Sequence, residues 1–381
     1  MIPLAVPNMC GNEAKYLQEC IDTNFVSTAG QFVPRFERMV ADMAGSKLGV
    51  ATSAGTTGLQ LALSAVGVGR DDLVILPSWT FIASANAIAH CGALPWLFDI
   101  NPESWTLDTE LLAHSLNIEA EKRDNGVFHK LSGRRIAAIM PVYTLGLPAK
   151  MQSLVPIAKK WGLPVIADCA AALGATIEGK PIGQLDADLS VCSFNGNKTL
   201  TCGGGGAVVG DSKKLISKVK HLSTTARVGV NYDHDVVGFN YRMTNISAAI
   251  GCAQMENAKM LVAVKRRIAS RYNEEFKDLD GVGLFPSPNW AESACWFSGI
   301  QILKRNNRIT DLIKHLQDQG IGTRSFWKPM HHQKPFKDAP ATTMETTELL
   351  WPSILTLPCS TNLGEAEQTQ VIDAVKEHLR K

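Results

Sequence analysis

The chain has 381 residues, 45% of them hydrophobic and only 19% charged, a balance that fits a large buried core and room for two packed units. Its net charge of +2 supplies no basic field for nucleic acid or anionic lipid, and no stretch approaches the roughly 20 apolar residues of a membrane span. Nine cysteines without CxxC spacing, and an opening MIPLAVPNMCGNE that lacks the basic start and apolar run of a leader, predict a cytoplasmic protein with reduced thiols.

A helix is expected to open near Asn12, with Ala14, Leu17 and Ile21 on one face. A second carries Phe36, Met39, Val40 and Met43 at helical spacing. The middle of the chain then changes character. LGVAT (48–52), LVILP (73–77), LPWLF (94–98), IAAIMPV (136–142), PVIAD (164–168), LSVCSF (189–194) and GAVVG (206–210) are short apolar runs without alternation. Such runs predict strands buried on both faces, as in a parallel sheet. Helical segments such as LQLALSAV (59–66) and MQSLVPIAKKWG (151–162) lie between them, which is α/β organisation. The polar stretch 117–135 predicts a hairpin turning at Asp124-Asn125-Gly126. Beyond it, Ile246, Ala249, Ile250, Ala253, Leu261, Val264, Ile268, Tyr272 and Phe276 share one helical stripe. It predicts a long linking helix, followed by a smaller C-terminal unit from about Gly281.

Three features carry chemistry. SAGTTGLQLAL (53–63) stands between a predicted strand and a predicted helix. Gly55 permits a tight turn, while Thr56, Thr57 and the first-turn N–H groups suit an anion. The plain alternative is a helix cap. Asp168 ends the buried run PVIAD, at the strand terminus where open α/β sheets bind ligands. A carboxylate there suits a protonated pyridine nitrogen, though it would also cap the segment that follows. Lys198, in SFNGNKTLTCGGGG (193–206), follows a buried strand and precedes four glycines. A partly desolvated amine in that setting is held neutral and nucleophilic. Neither nucleotide motif fits. A P-loop would need glycine where Cys192 and Asn197 stand, and Gly203–Gly206 lead into a strand rather than a helix.

The order of these features resembles the fold-type-I sugar aminotransferases of the DegT/DnrJ/EryC1/StrS family, which act on nucleotide-linked keto sugars. The likeness spans nearly the whole chain and includes PSWTFIASANAI (77–88), VGFNYRMTNISAAIGCAQM (237–255), FWKPMHHQKPF (326–336) and LPCSTNL (357–363). Within the family it is most similar to the 4-aminotransferases of the bacillosamine and legionaminic acid type. The resemblance implies a large domain (1–245) around a mostly parallel seven-stranded sheet, a linking helix (246–280) and a small C-terminal α+β domain (281–381). It also implies pyridoxal 5′-phosphate as cofactor, joined covalently to Lys198 with Asp168 on the ring nitrogen. Thr56, Thr57 and Ser193 would hold the phosphate, and Phe81 would stack on the ring. Asn240 would reach the cofactor of a neighbouring subunit, making a homodimer with shared sites. One position departs from the family: three residues past Asp168, where Gln, Glu or His is usual, stands Ala171.

The expected activity is transfer of an amino group from glutamate to C4 of a 4-keto-6-deoxy nucleotide sugar, for cell-surface glycans such as O-antigen. Arg227, Arg324 and His331 are candidate substrate contacts, with ordinary surface charge and a structural histidine as their alternatives. His331 and His332, being adjacent, cannot share a helical face at i, i+4, so no metal site is expected. A 3-aminotransferase of the same family is the near rival. A catalytically idle cofactor-binding regulator is the distant one.

Overall fold

The short apolar runs become strands because both faces of each are covered. The structure, a computed structural model, describes residues 1–303 and 309–379. Its strands are β1 (Leu48–Thr52), β2 (Leu73–Pro77), β3 (Leu94–Phe98), β4 (Ala120–Arg123), β5 (Gly126–His129), β6 (Arg135–Ile139), β7 (Ile166–Asp168), β8 (Leu189–Ser193) and β9 (Gly206–Gly210). β3, β2 and β6 run parallel side by side, as do β7 and β8. Parallel bridges at Ile139–Val165 and Val142–Asp168 join the two sets. The result is one sheet of order β3-β2-β6-β7-β8-β9-β1 in which β9 alone runs against the rest. That is the expected mostly parallel sheet of seven strands. The 117–135 stretch is the expected hairpin: Arg123 pairs with Gly126, leaving Asp124-Asn125 as a two-residue turn.

Helices α1 (Glu13–Asp22), α2 (Phe32–Ala44), α3 (Gly55–Ala65), α4 (Ile82–His90), α5 (Thr109–Glu119), α6 (Met151–Trp161) and α7 (Lys213–Ser223) lie in chain order around the sheet. Two sequence expectations are corrected here. First, α1 buries Glu13, Tyr16 and Cys20, while Ala14 and Ile21 are exposed. Tyr16 and Glu13 are drawn inward by hydrogen bonds, Tyr16 donating to Glu256 and Glu13 accepting from Gln254. Polar anchoring has rotated the helix away from its apolar spacing. Second, the long stripe is two helices, α8 (Asn245–Glu256) and α9 (Ala258–Phe276), broken at Asn257. Asn257 leaves helical geometry (φ −103°, ψ 5°) and returns its side-chain N–H to the Ala253 carbonyl. The break redirects the chain. α8 buries Ala249, Cys252 and Ala253 against the core that holds Tyr16 and Phe36, whereas Ile268, Tyr272 and Phe276 of α9 enter a separate C-terminal core.

That C-terminal core lies on an antiparallel sheet of order 282–284, 298–302, 354–357, 324–325. Helices α10 (Ile309–Asp318), α11 (Glu345–Leu350) and α12 (Glu365–Leu379) accompany it. Ile2 pairs in parallel with Ile321, so the first residues pack with this sheet. Among the described residues, no helix is long and apolar enough to cross a membrane.

Candidate active site

Parallel strands end at one edge of the sheet, and the loops leaving that edge leave a crevice between them. β7 ends there on Asp168 and β8 on Ser193, while α3 begins at Gly55 and α4 at Ile82. Lys198, Asp168, Thr56, Ser193, Phe81 and Arg324 all line one cavity of about 470 Å³. Six expected site residues, spread over 269 positions of sequence (324 − 56 + 1), thus meet in one place.

Asp168 is buried and doubly held. The Ser84 hydroxyl donates to Oδ2 at 2.7 Å, and the Ala170 N–H donates to Oδ1 at 3.1 Å. Burial raises its pKa above the usual carboxylate value, against the two hydrogen bonds and the Lys198 charge, which lower it. Thr80 Oγ1 lies 2.9 Å from Ser84 Oγ. Since Ser84 gives its one hydrogen to the carboxylate, Thr80 is the donor of that pair.

Lys198 is placed by a loop that closes on itself. Phe194 donates its N–H to Gly205 O and Cys202 donates to Phe194 O, both at 2.9 Å. The Lys198 N–H reaches Asn195 O at 3.0 Å. Two of the glycines have distinct reasons. Gly203 turns at φ +75°, and a Cβ on Gly206 would stand 2.5 Å from the Ala54 backbone, so the strand and the α3 turn touch directly. The Lys198 ammonium nitrogen lies 3.5 Å from the centre of the Trp296 ring. Burial lowers its pKa from 10.5 to about 8, against the Asp168 charge. A substantial fraction of the amine is therefore neutral near physiological pH.

These residues fit pyridoxal phosphate. The cavity joins a neutralisable amine to a buried carboxylate, as an aldehyde-bearing pyridinium requires. At its floor the first-turn N–H groups of α3 precede the first helical bond, from Gly58 N–H to Ala54 O, and face outward for an anion. A Cβ on Gly55 would crowd Ser193 at 2.8 Å, so only glycine lets these two elements form one cradle. The Tyr143 hydroxyl, also at this cavity, is buried without a hydrogen-bond partner among the described residues.

Four expected residues are not at this cavity. Thr57 has its hydroxyl in the α3 cap, accepting from the Ala54 N–H at 3.1 Å and lying 3.2 Å from Ser53 Oγ. Asn240 is exposed beside Arg242. Arg227 is exposed on a short hairpin, its guanidinium 3.8 Å from the Tyr232 ring. His331 has Nδ1 2.6 Å from Ser78 Oγ and Nε2 2.6 Å from Glu348. His331 and His332 lie on a short 3₁₀ turn (Met330–His332), from which both rings reach Glu348. Conversely, Ser84, Tyr143, Trp296 and Trp327 line the cavity without having been singled out from the sequence.

Residues 7–376 match the model of the DegT/DnrJ/EryC1/StrS aminotransferase family. The chain is 37% identical over 334 residues to GDP-perosamine synthase of Vibrio cholerae, covering 87% of this chain and 86% of that one. It is 35% identical over 381 residues to GDP-perosamine synthase of Caulobacter vibrioides, at 99% and 98% coverage. Among solved structures, a family aminotransferase from Brucella abortus superposes with a TM-score of 0.86 at 27% identity, over 97% of this chain and 96% of that one. With a half-buried lysine, a carboxylate at a strand end and an anion cradle meeting in one cavity, the chain belongs to the DegT/DnrJ/EryC1/StrS aminotransferases and is a pyridoxal phosphate-dependent enzyme acting on nucleotide sugars.

Proposed function

We propose that the enzyme moves an amino group from glutamate to the C4 ketone of a 4-keto-6-deoxy sugar carried on guanosine diphosphate. The observation that carries this reading is the Lys198–Asp168 cavity within near full-length likeness to two GDP-perosamine synthases. When bound, pyridoxal phosphate supplies an electron sink for the carbanion at the reacting carbon.

The chain's own residues divide the remaining work. Asp168 would keep a proton on the ring nitrogen, and the Ser84 and Ala170 hydrogen bonds keep Asp168 aimed. The first turn of α3, with Thr56 and Ser193, would hold the phosphate, and Phe81 would cover the ring. Lys198 would take the proton from the donor's α-carbon in the first half-reaction and deliver a proton to C4 of the sugar in the second, each half restoring the neutral amine. Its pKa of about 8 suits an amine that both accepts and gives a proton. Arg324 reaches the same space and would meet the donor carboxylate or the nucleotide phosphates, since guanidinium pairs with both. Trp296 and Trp327, 5.9 Å apart between ring centres, form an apolar wall that excludes water from Lys198.

Asn240 and Arg227 sit on a loop that also exposes Val230, Tyr232 and Val237, at 82%, 73% and 88%. Ile21, on the outward face of α1, is 59% exposed. These surfaces support a homodimer in which Asn240 reaches the neighbouring cofactor. Sedimentation of the purified protein at twice the 41.3 kDa chain mass is the expected result.

The decisive test supplies glutamate and 4-keto-6-deoxy sugars on guanosine, uridine or thymidine diphosphate, with a 3-keto isomer as control. Aminated guanosine product and 2-oxoglutarate are expected. Turnover of the 3-keto isomer alone would refute the regiochemistry. A cofactor colour unmoved by glutamate would refute catalysis altogether.

A further inference from the structure

His331, His332 and Glu348 lie outside the cavity, yet their ring nitrogens and carboxylate converge. Both Nε2 atoms are 2.6 Å from Glu348 Oε1, and one donor atom from each residue falls within 4.8 Å of the others. Two imidazoles and a carboxylate meeting in this way are a set that borderline divalent ions prefer, at donor distances of roughly 2.0–2.2 Å. The side chains of His332 and Glu348 are 37% and 45% exposed, which leaves a fourth position open to water.

The surroundings orient the donors. His331 Nδ1 lies 2.6 Å from Ser78 Oγ, so with the proton on Nδ1 that nitrogen donates to Ser78 and Nε2 presents its lone pair. Ser78 Oγ also accepts the His331 N–H at 3.3 Å, and Trp351 Nε1 donates to the second carboxylate oxygen of Glu348 at 3.3 Å. The His331 and His332 rings lie 4.4 Å apart between centres, placed side by side rather than splayed.

We propose that His331, His332 and Glu348 bind one divalent d-block cation, with zinc as the representative ion. The site is a fastener and takes no part in the transfer chemistry. It would tie the Met330–His332 turn to α11, and through Ser78 to the turn that carries Thr80 and Phe81. Trp327 and Phe81, both walls of the cavity, stand at the near ends of the two segments so joined. The inference is independent of which sugar or nucleotide the enzyme uses.

The test uses tag-free holoenzyme, stripped with chelator, then equilibrated with Zn²⁺ and dialysed at pH 7.5. One zinc per chain should remain by elemental analysis, Mg²⁺ should not compete, and zinc should raise the thermal midpoint. His332→Ala and Glu348→Gln, both on exposed side chains, should lose the retained zinc and the thermal shift while melting like the metal-free parent. Ser78→Ala should weaken zinc roughly 10- to 100-fold, as loss of an outer partner does. Parent protein that retains no zinc overturns the proposal. So does a His332→Ala variant that keeps the full complement, which would assign the zinc to cysteines or other surface groups.

Discussion

Ser84 Oγ lies 2.7 Å from Asp168 Oδ2 and directs its single hydrogen to that oxygen, while Thr80 donates to Ser84 from 2.9 Å behind. The carboxylate is therefore the end of a short relay that begins on the loop before α4. Ser84→Ala removes the one side-chain hydrogen bond to a buried charge and leaves the Ala170 N–H alone. A hydrogen bond to an ionised group contributes roughly 1.5–3 kcal/mol, so turnover should fall about ten- to a hundredfold. Steady-state kinetics on Ser84→Ala and Ser84→Thr checks this. Threonine should restore much of the rate, and an alanine variant with parental kcat would show the relay to be idle.

How the sequence disclosed this site explains what it hid. Asp168 and Lys198 were legible because each follows a buried apolar run at a strand end, where side chains emerge into a crevice. Gly55 and the four-glycine tract were legible because close backbone approach leaves a compositional trace. Ser84 left none: a serine in a helix's first turn is ordinary, and only the fold sets α4 beside β7. Trp296 was similarly silent, since its partner Lys198 is 98 positions away (296 − 198). The outward turn of α1 is not legible in its apolar spacing because the Tyr16–Glu256 and Glu13–Gln254 bonds that set it join residues more than 200 positions apart. Long-range polar contacts, not local pattern, account for most of what escaped.

The Lys198 amine gives a pH dependence of definite sign. Burial holds its pKa near 8 instead of 10.5, and the Asp168 charge opposes that shift. Only the neutral amine attacks an aldehyde, so capture of pyridoxal phosphate by cofactor-free protein should accelerate as pH rises, with a midpoint near 8. Asp168→Asn removes the charge that favours the ammonium form, and the midpoint should move to lower pH. Linkage adds a second readout. Between about pH 8 and 10.5 the unfolded chain binds a proton at this lysine that the folded chain does not, so the cofactor-free protein should gain stability from this group with rising pH and lose it as pH falls through about 8. Stopped-flow absorbance follows the first effect and denaturant titration the second. A capture midpoint near 10 would contradict the burial argument.

Gly206 tests the contact between β9 and the α3 turn. An added Cβ would stand 2.5 Å from the carbonyl carbon and oxygen of Ala54, which are backbone atoms and cannot step aside as a flexible side chain would. Gly206→Ala should cost roughly 1–3 kcal/mol, as overpacking of a tight interior does. Because the displaced turn is the phosphate cradle, the cofactor's dissociation constant should rise as well. Gly69→Ala, where an added Cβ also meets nothing within 4 Å and which lies away from the cavity, is the control and should retain cofactor. Thermal melts with fluorescence titration of pyridoxal phosphate distinguish the two variants. Equal behaviour would mean that the cradle does not depend on this contact.

Tyr143 shows how the site tolerates an unsatisfied group until it is filled. Its hydroxyl is buried without a partner among the described residues, beside a cavity where Ala171 offers only a methyl. Burial drives its pKa well above the ordinary tyrosine value, so it stays a neutral donor throughout the working range. A buried hydroxyl without a hydrogen bond costs roughly 1–3 kcal/mol. Tyr143→Phe removes that cost from the cofactor-free protein, which should melt higher than the parent. If the hydroxyl meets the bound cofactor, the same variant should hold pyridoxal phosphate less tightly, and its advantage should shrink or reverse in the loaded enzyme. Calorimetry of both forms separates the two contributions. A phenylalanine variant that is less stable without cofactor would mean that the hydroxyl already has a partner, and the cavity would then have one fewer group waiting for a ligand.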